Sequence, residues 1–252
     1  MSHDPKELMS CIEIQGYAVI KAFVPSSVTI EIRKMWHRYS MPFGSKGYWR
    51  GRPNYAMHKS PLPIANRLGL SDYPKVQRYE CFFWNPPEHE LTAEVALNCH
   101  ILRNAVAQFP LTAHIYPSDG YAISYRPTRT DQGDSGVIRH NDKTGYARHA
   151  IQVSLQLSTP ESDFEGGGTV IGSPDGKFIN INREHNIVAG DLILFDQNLE
   201  HEVEPVTRSD PLDPLSGHWR ILMPLHSVVE SPHQWVRGMV SHPSRLPIHS
   251  IR

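Results

Sequence analysis

Ile151-Gln152-Val153-Ser154-Leu155-Gln156-Leu157 alternates apolar and polar side chains without a break. Two is the period of a β-strand, whose successive side chains leave on opposite faces. One face therefore carries Ile151, Val153, Leu155 and Leu157, and the other Gln152, Ser154 and Gln156. The apolar face is expected to pack beneath helices. The Gln/Ser face is expected to line a cavity, since a small-molecule site needs a few placed polar groups in apolar surroundings.

The same texture spreads outward from this strand. Short strand-like runs separated by turn residues fall at about 121–126, 136–142, 148–157, 168–172, 185–189, 191–196, 201–206 and 218–226, and 177–182 reads as a further edge strand. Eight strands of this size are what a jelly roll, or double-stranded β-helix, requires. Pattern alone gives a mainly β barrel or sandwich with flanking helices.

The first half reads differently. Asp4-Pro5 begins a helix that Gly16 ends, Tyr17 to Phe23 reads as a strand, and Pro25-Ser26 opens a helix to about Tyr39. Residues 41–76 read as a lid loop, broken by Pro42, Gly44, Gly47, Gly51, Pro53, Pro61, Pro63 and Pro74. Val76 to Trp84 reads as a strand, and Pro86-Pro87-Glu88 starts the longest helix, to about Phe109. The expected organisation is a single structural domain: an N-terminal portion, 1–120, packing on a core at 121–229, with an extension at 230–252.

Composition removes several classes of function. A net charge of −1 argues against nucleic-acid binding. No apolar run is long enough to span a bilayer, and Met1 to Ser10 lacks the charged-then-apolar pattern of a signal peptide. Cys11, Cys81 and Cys99 are odd in number and widely spaced, so neither a disulfide framework nor a thiolate zinc site is indicated. A cytoplasmic location is expected.

The chemistry resides in His140-Asn141-Asp142, His201 and Arg220. Two imidazoles and one carboxylate on one face of a metal, with the other positions open, suit non-haem Fe(II). On an extended strand His140 and Asp142 share a side. Arg220 adds an always-charged planar fork for a carboxylate. With 15 His and 26 Asp plus Glu in 252 residues, one His-x-Asp is close to a chance event, so the context must carry the signal. That context is Asp163-Phe164-Glu165-Gly166-Gly167-Gly168-Thr169, then Gly190 to Phe195, then His201-Glu202-Val203-Glu204-Pro205-Val206-Thr207, then His218-Trp219-Arg220-Ile221-Leu222-Met223.

In this order the elements resemble the Fe(II)/2-oxoglutarate-dependent oxygenases, in the style of the prolyl and lysyl hydroxylase catalytic modules, over residues 121–226. The resemblance implies a jelly roll holding Fe(II) on His140, Asp142 and His201. It also implies 2-oxoglutarate as co-substrate on Arg220, with O2 as oxidant. Tyr125 matches a co-substrate tyrosine of the pattern, and Gln152 and Thr169 are candidates for the same ligand. Gln156 and Ser154 are candidates for substrate contact. The glycines of 166–168 serve backbone conformation, because the phosphate-loop spacing is missing.

One departure concerns the arginine. Ser209 to Gly217 lengthens the turn before Arg220, which leaves Arg208, nearer to His201, as a competitor. Arg220 is preferred because it sits within an apolar strand pattern, where a buried charge needs a partner. Asp142 also separates the chain from the related iron halogenases, which have a small residue there.

The lid offers the substrate clue. From Met41 to Leu70 it carries Lys46, Arg50, Arg52, Lys59 and Arg67 and no acidic residue, interleaved with Tyr48, Trp49 and Tyr55. Such a segment is either a solvated loop, a clamp for an anionic metabolite, or a docking edge for an acidic carrier protein. Lys46, Arg50, Arg52 and Trp49 are its candidate substrate residues. Three functions stay open: oxygenation of a small metabolite, hydroxylation of a protein side chain, and a cupin-like metal-binding protein that does no oxygenation.

Overall fold

The computed structural model describes residues 4–40, 55–59, 76–84, 87, 89–116, 121–131, 137–142, 150–210 and 212–227. Helix α1 (Pro5–Gln15) starts where the sequence places it. The Asp4 carboxylate accepts the Lys6 N–H at 2.9 Å, and Gly16, at φ 92°, donates its N–H back to the Ile12 carbonyl. Strand β1 (Tyr17–Ile20), helix α2 (Ser26–Ser40), strands β2 (Tyr55–Lys59) and β3 (Val76–Phe82) and helix α3 (Glu90–Val106) complete the first half. The second half holds β4 (Tyr121–Thr130), β5 (Val137–His140), β6 (Ile151–Gln156), β7 (Glu165–Gly166), β8 (Thr169–Gly172) and β9 (Phe178–Asn180). A one-turn helix α4 (Ile181–Glu184) then leads to β10 (Leu192–Asp196), β11 (His201–Val203), β12 (Val206–Arg208), β13 (His218–Met223) and β14 (Leu225–Ser227).

These strands form two facing sheets. The major sheet runs β1-β10-β6-β13-β4-β3-β2, with β14 added beside β4. The minor sheet runs β5-β11-β8-β9, and β12 pairs with β7 in a separate ribbon. All named strand pairs are antiparallel, the pattern of a jelly roll with helices on one side.

The alternation in β6 sorts the molecule into two interiors. Ile151, Val153, Leu155 and Leu157 join one apolar core with Met9 and Ile12 of α1, Ile32 and Trp36 of α2, and Val95 and Cys99 of α3. Trp219, Ile221 and Met223 of β13 lie in the same core. The opposite face looks across to the minor sheet, where Ile171 meets Tyr17, Ile193, Phe195, Ile181 and Ile187 in a second, smaller cluster.

Several sequence expectations are corrected. Segment 185–189 is not a strand: His185 caps α4, Asn186 takes φ 46°, and the Val188 N–H is held by the Asp191 carboxylate, so turn geometry consumes the polar groups a ladder would need. The lid 41–76 contains β2, which pairs with β3 from Tyr55↔Glu80 to Lys59↔Val76; its backbone order comes from pairing, not local propensity. The 218–226 run divides at Pro224, which has no N–H to give the ladder. The 201–206 run divides around Glu204-Pro205. The N-terminal portion does more than pack on the core, since β1, β2 and β3 belong to the major sheet.

Gly190 shows how tightly the connection into β10 is made. It has φ 99°, and a Cβ there would stand 2.2 Å from the Val24 carbonyl oxygen. Its N–H donates to the Gln156 carbonyl, and its own carbonyl accepts from Val24.

Candidate metal centre and adjoining cavity

His140 ends β5 and His201 opens β11, and strand pairing sets the two opposite each other. Their rings lie 4.4 Å apart, centre to centre. Asp142 stands just beyond the end of β5, not within a continuous strand as 136–142 would have required. It is brought back by its own backbone: its N–H donates to the Gln197 carbonyl at 3.0 Å, and the Gln197 amide donates to the Asp142 carbonyl at 3.3 Å. Gln197 is wholly buried and also accepts the Leu225 N–H. One ligand atom each from His140, Asp142 and His201 can lie within 4.8 Å of the others.

The imidazoles are oriented for a metal. His140 Nδ1 lies 2.8 Å from the Ile138 carbonyl and His201 Nδ1 lies 3.0 Å from that of Leu199. A carbonyl only accepts, so each Nδ1 carries the proton and each Nε2 keeps its lone pair. Both Nε2 atoms face Asp142, at 3.6 and 3.7 Å from its two oxygens. Burial pushes the Asp142 carboxyl up, but its neighbours, among them the permanent charge of Arg126, outweigh this and leave it below the ordinary carboxylate range. It is therefore an anionic ligand at neutral pH. His140 and Asp142 are a little over a third exposed, whereas His201 is buried against Phe195, at 5.1 Å.

The inward faces of the two sheets carry the other expected residues. Pairing puts His201 opposite Ile171 and Val203 opposite Thr169, so Thr169 shares the inward face with His201. On the major sheet, Arg220 pairs with Gln156 and with Thr128, which places it on the Gln152-Ser154-Gln156 face. Arg220, Ser154 and Gln156 are completely buried; Gln152 and Thr169 nearly so. The Gln152 Oε1 and Thr169 Oγ1 atoms are buried with no hydrogen-bond partner among the described residues. Buried polar atoms of this kind are ordinarily satisfied, by a ligand or water if not by protein. Two neutral imidazoles and a carboxylate suit Fe(II), and a guanidinium with a nearby hydroxyl suits a carboxylate. The residues present thus fit both Fe(II) and 2-oxoglutarate.

Not every expected residue converges here. Tyr125 lies on the wrong face of β4: its ring is in the helix-side core, 5.0 Å from Phe83, and strand parity alone denies it the cavity. Arg208 is on the outer ribbon, 72 % exposed and paired with Glu165 at 2.5 Å, whereas Arg220 is completely buried on the inward face. Lys46, Trp49, Arg50 and Arg52 lie outside the described residues. The three glycines at 166–168 all have positive φ, between 67° and 111°, in keeping with their conformational reading.

Sequence reasoning missed Gln197, Asn182, His218 and Arg126. The first two sit in turn-like polar stretches that give no signal. His218 stands out in the sequence only as a neighbour of Arg220. Arg126, paired with Glu80 at 2.6 Å, is masked by the motif match of Tyr125 beside it.

No family model matches the chain. The curated PKHD-type hydroxylase YbiX of Shigella sonnei is 33% identical over 73 residues, which is 29% of this chain and 30% of that protein. The matching YbiX of Escherichia coli is 34% identical over the same length. The match therefore spans about a third of these relatives' length. Among solved structures, a Pseudomonas putida prolyl-4-hydroxylase superposes with TM-score 0.57 at 15% identity, covering 88% of this chain and 98% of that one. A full-length Neurospora crassa protein in complex with alpha-KG and thymine superposes with TM-score 0.57 at 12% identity, over 90% and 81%. The fold is the jelly roll of the Fe(II)/2-oxoglutarate oxygenases.

Proposed function

We propose that this protein is an Fe(II)- and 2-oxoglutarate-dependent oxygenase that hydroxylates an unactivated C–H bond of a small metabolite. The observation that carries the reading is the convergence of His140, Asp142 and His201, with both Nε2 lone pairs turned to Asp142, in a sandwich whose major sheet buries Arg220 on its inward face. Fe(II) would be held by these three residues. The co-substrate would set its distal carboxylate on Arg220, with Thr169 of the facing sheet as a further donor. Bound together, they couple O2 and oxidative decarboxylation of 2-oxoglutarate, giving succinate and CO2, to conversion of C–H into C–OH.

The chain's residues would do the rest. The two backbone carbonyls hold the imidazoles in register, Asp142 supplies the negative charge, and Gln197 fixes Asp142. Ile171, Ile193 and Phe195 keep water from the inner cavity. A small-molecule substrate is supported by the meeting of that apolar cluster with the polar Gln152-Ser154 face.

The test is anaerobic titration with Fe(II) and then 2-oxoglutarate, following the visible metal-to-ligand charge-transfer band. Succinate release is then measured in air against panels of metabolites and of peptides. A band with succinate release stimulated by a metabolite supports the reading; stimulation by peptides alone moves it to side-chain hydroxylation. Metal binding with neither band nor succinate returns the chain to the cupin-like alternative.

A further inference from the structure

Arg220 sits at one end of a chain of hydrogen bonds in which every polarity is forced. A guanidinium can only donate. Arg220 Nη1 lies 3.0 Å from His218 Nδ1, so Nδ1 must be the acceptor, and the proton of this imidazole is on Nε2. His218 Nε2 lies 3.1 Å from Gln156 Oε1 and therefore donates to it. The Gln156 amide nitrogen is thereby turned to Ser154 Oγ, at 2.8 Å, and Asn182 Nδ2 reaches the same Gln156 oxygen at 3.4 Å. Asn182 Oδ1 finally accepts the backbone N–H of Thr169 at 2.7 Å.

The chain thus crosses the sandwich, from β13 of the major sheet through β6 and α4 to β8 of the minor sheet. Its intermediate members are buried. Burial first, and then the Arg220 charge, holds His218 well below the usual imidazole range. Phe164 stacks on the His218 ring at 4.7 Å and nearly parallel, which fixes the plane in which Nδ1 points. A protonated or flipped ring would place an N–H against the guanidinium and break the chain.

We propose that His218, locked as its neutral Nε2–H tautomer by Gln156, is the positioning residue that aims Arg220 at the co-substrate carboxylate, and that Asn182 ties this aim to the strand carrying Thr169. This rests on the reading of Arg220 as the co-substrate's partner. His218 would touch neither metal nor substrate; with Thr130 Oγ1, which accepts from the same amino group at 3.2 Å, it engages Nη1 of Arg220 and so restricts the orientation of the guanidinium.

The test uses the full chain loaded with Mn(II), which cannot turn over, titrated calorimetrically with 2-oxoglutarate. His218→Phe keeps the ring but has no acceptor, and is expected to weaken 2-oxoglutarate binding at least ten-fold with Mn(II) affinity unchanged. His218→Asn restores an acceptor near the Nδ1 position and is expected to stay within about three-fold of the parent. If Arg220→Ala binds 2-oxoglutarate weakly but His218→Phe binds it normally, the positioning role is overturned and the Arg220 reading stands. If Arg220→Ala itself binds normally, the co-substrate reading fails and takes this inference with it. Should His218→Phe not fold, the parent protein still decides: histidine 15N shifts, with the His218 resonance identified by its loss in His218→Asn, must show Nε2–H. An Nδ1–H or protonated ring overturns the proposal.

Discussion

The two ends of the candidate site are built by different means. At the metal end, positions are set largely by backbone groups: two carbonyls fix the imidazoles, the Asp142 main chain is held by the Gln197 carbonyl and side-chain amide, and two of the three candidate ligands are partly exposed. At the arginine end, side chains are held by other side chains, all of them buried. The rim, where metal, O2 and substrate are proposed to enter, gains from side chains set by the rigid main chain. The closed end, where the co-substrate carboxylate is proposed to bind, gains from a buried polar network, in which each group is satisfied by the next and an error in one is felt by all.

The largest effect that would test this contrast is at the rim. Asp142→Ala removes the one anionic ligand, and Fe(II)-dependent succinate formation is expected to fall by two orders of magnitude or more, with the fold intact by circular dichroism. Near-parental succinate formation without added carboxylate or halide would dissolve the metal end as described. At the other end, Arg220→Ala removes charge-assisted hydrogen bonds worth roughly 1.5–3 kcal/mol, so the 2-oxoglutarate Kd should rise about ten- to hundred-fold. Metal binding should be unchanged, which would show that the ends are separable.

A third change strikes the frame they share. Gly190→Ala meets both a left-handed backbone and the Val24 carbonyl, and should lower unfolding free energy by roughly 2 kcal/mol or more in urea titration. The fourth sharpens the burial difference through pH. His218 titrates lower in the fold than in the unfolded chain, so between its folded value and about 6.5 the unfolded state binds the extra proton. Its stabilising contribution is complete above about 6.5 and is lost as pH falls, by at most about 1.4 kcal/mol per pH unit for one proton. His218→Asn should flatten that acid slope in denaturant titrations, whereas Arg208→Ala, the smallest change, should leave stability and 2-oxoglutarate affinity within about two-fold.

The same contrast separates what the sequence discloses from what it conceals. His140, Asp142 and His201 are readable as a candidate set because few residue types ligate a metal, and the fold brings the three together. The face assignment of β6 is readable because period two needs no partner to be seen. Tyr125 fails on that same parity: a motif match ignored that its neighbours Ser124 and Arg126, not it, share the cavity side with Thr128. Asn182, His218 and Gln156 were not legible as a unit, because three segments far apart in sequence must meet before any of them acquires a task. Segment 185–189 misled because Ile187 and Val188 look strand-like, while the Asp191 carboxylate that captures the turn lies outside the run.

The order of strands in the major sheet has a further consequence, for how the molecule comes into being. Strand β1, formed by residues 17–20, is hydrogen-bonded to β10 at 192–196, and β4 waits for β13 at 218–223. During synthesis the ribosome must therefore deliver most of the polypeptide before the first strand finds its neighbour, and α1 emerges with Met9 and Ile12 awaiting the core they will enter. Pairings of such long sequence separation close slowly, on the order of milliseconds to seconds for β-rich chains. The nascent protein accordingly passes through a long interval with apolar surface uncovered. Its dependence on chaperones should be set by that interval more than by the stability finally reached.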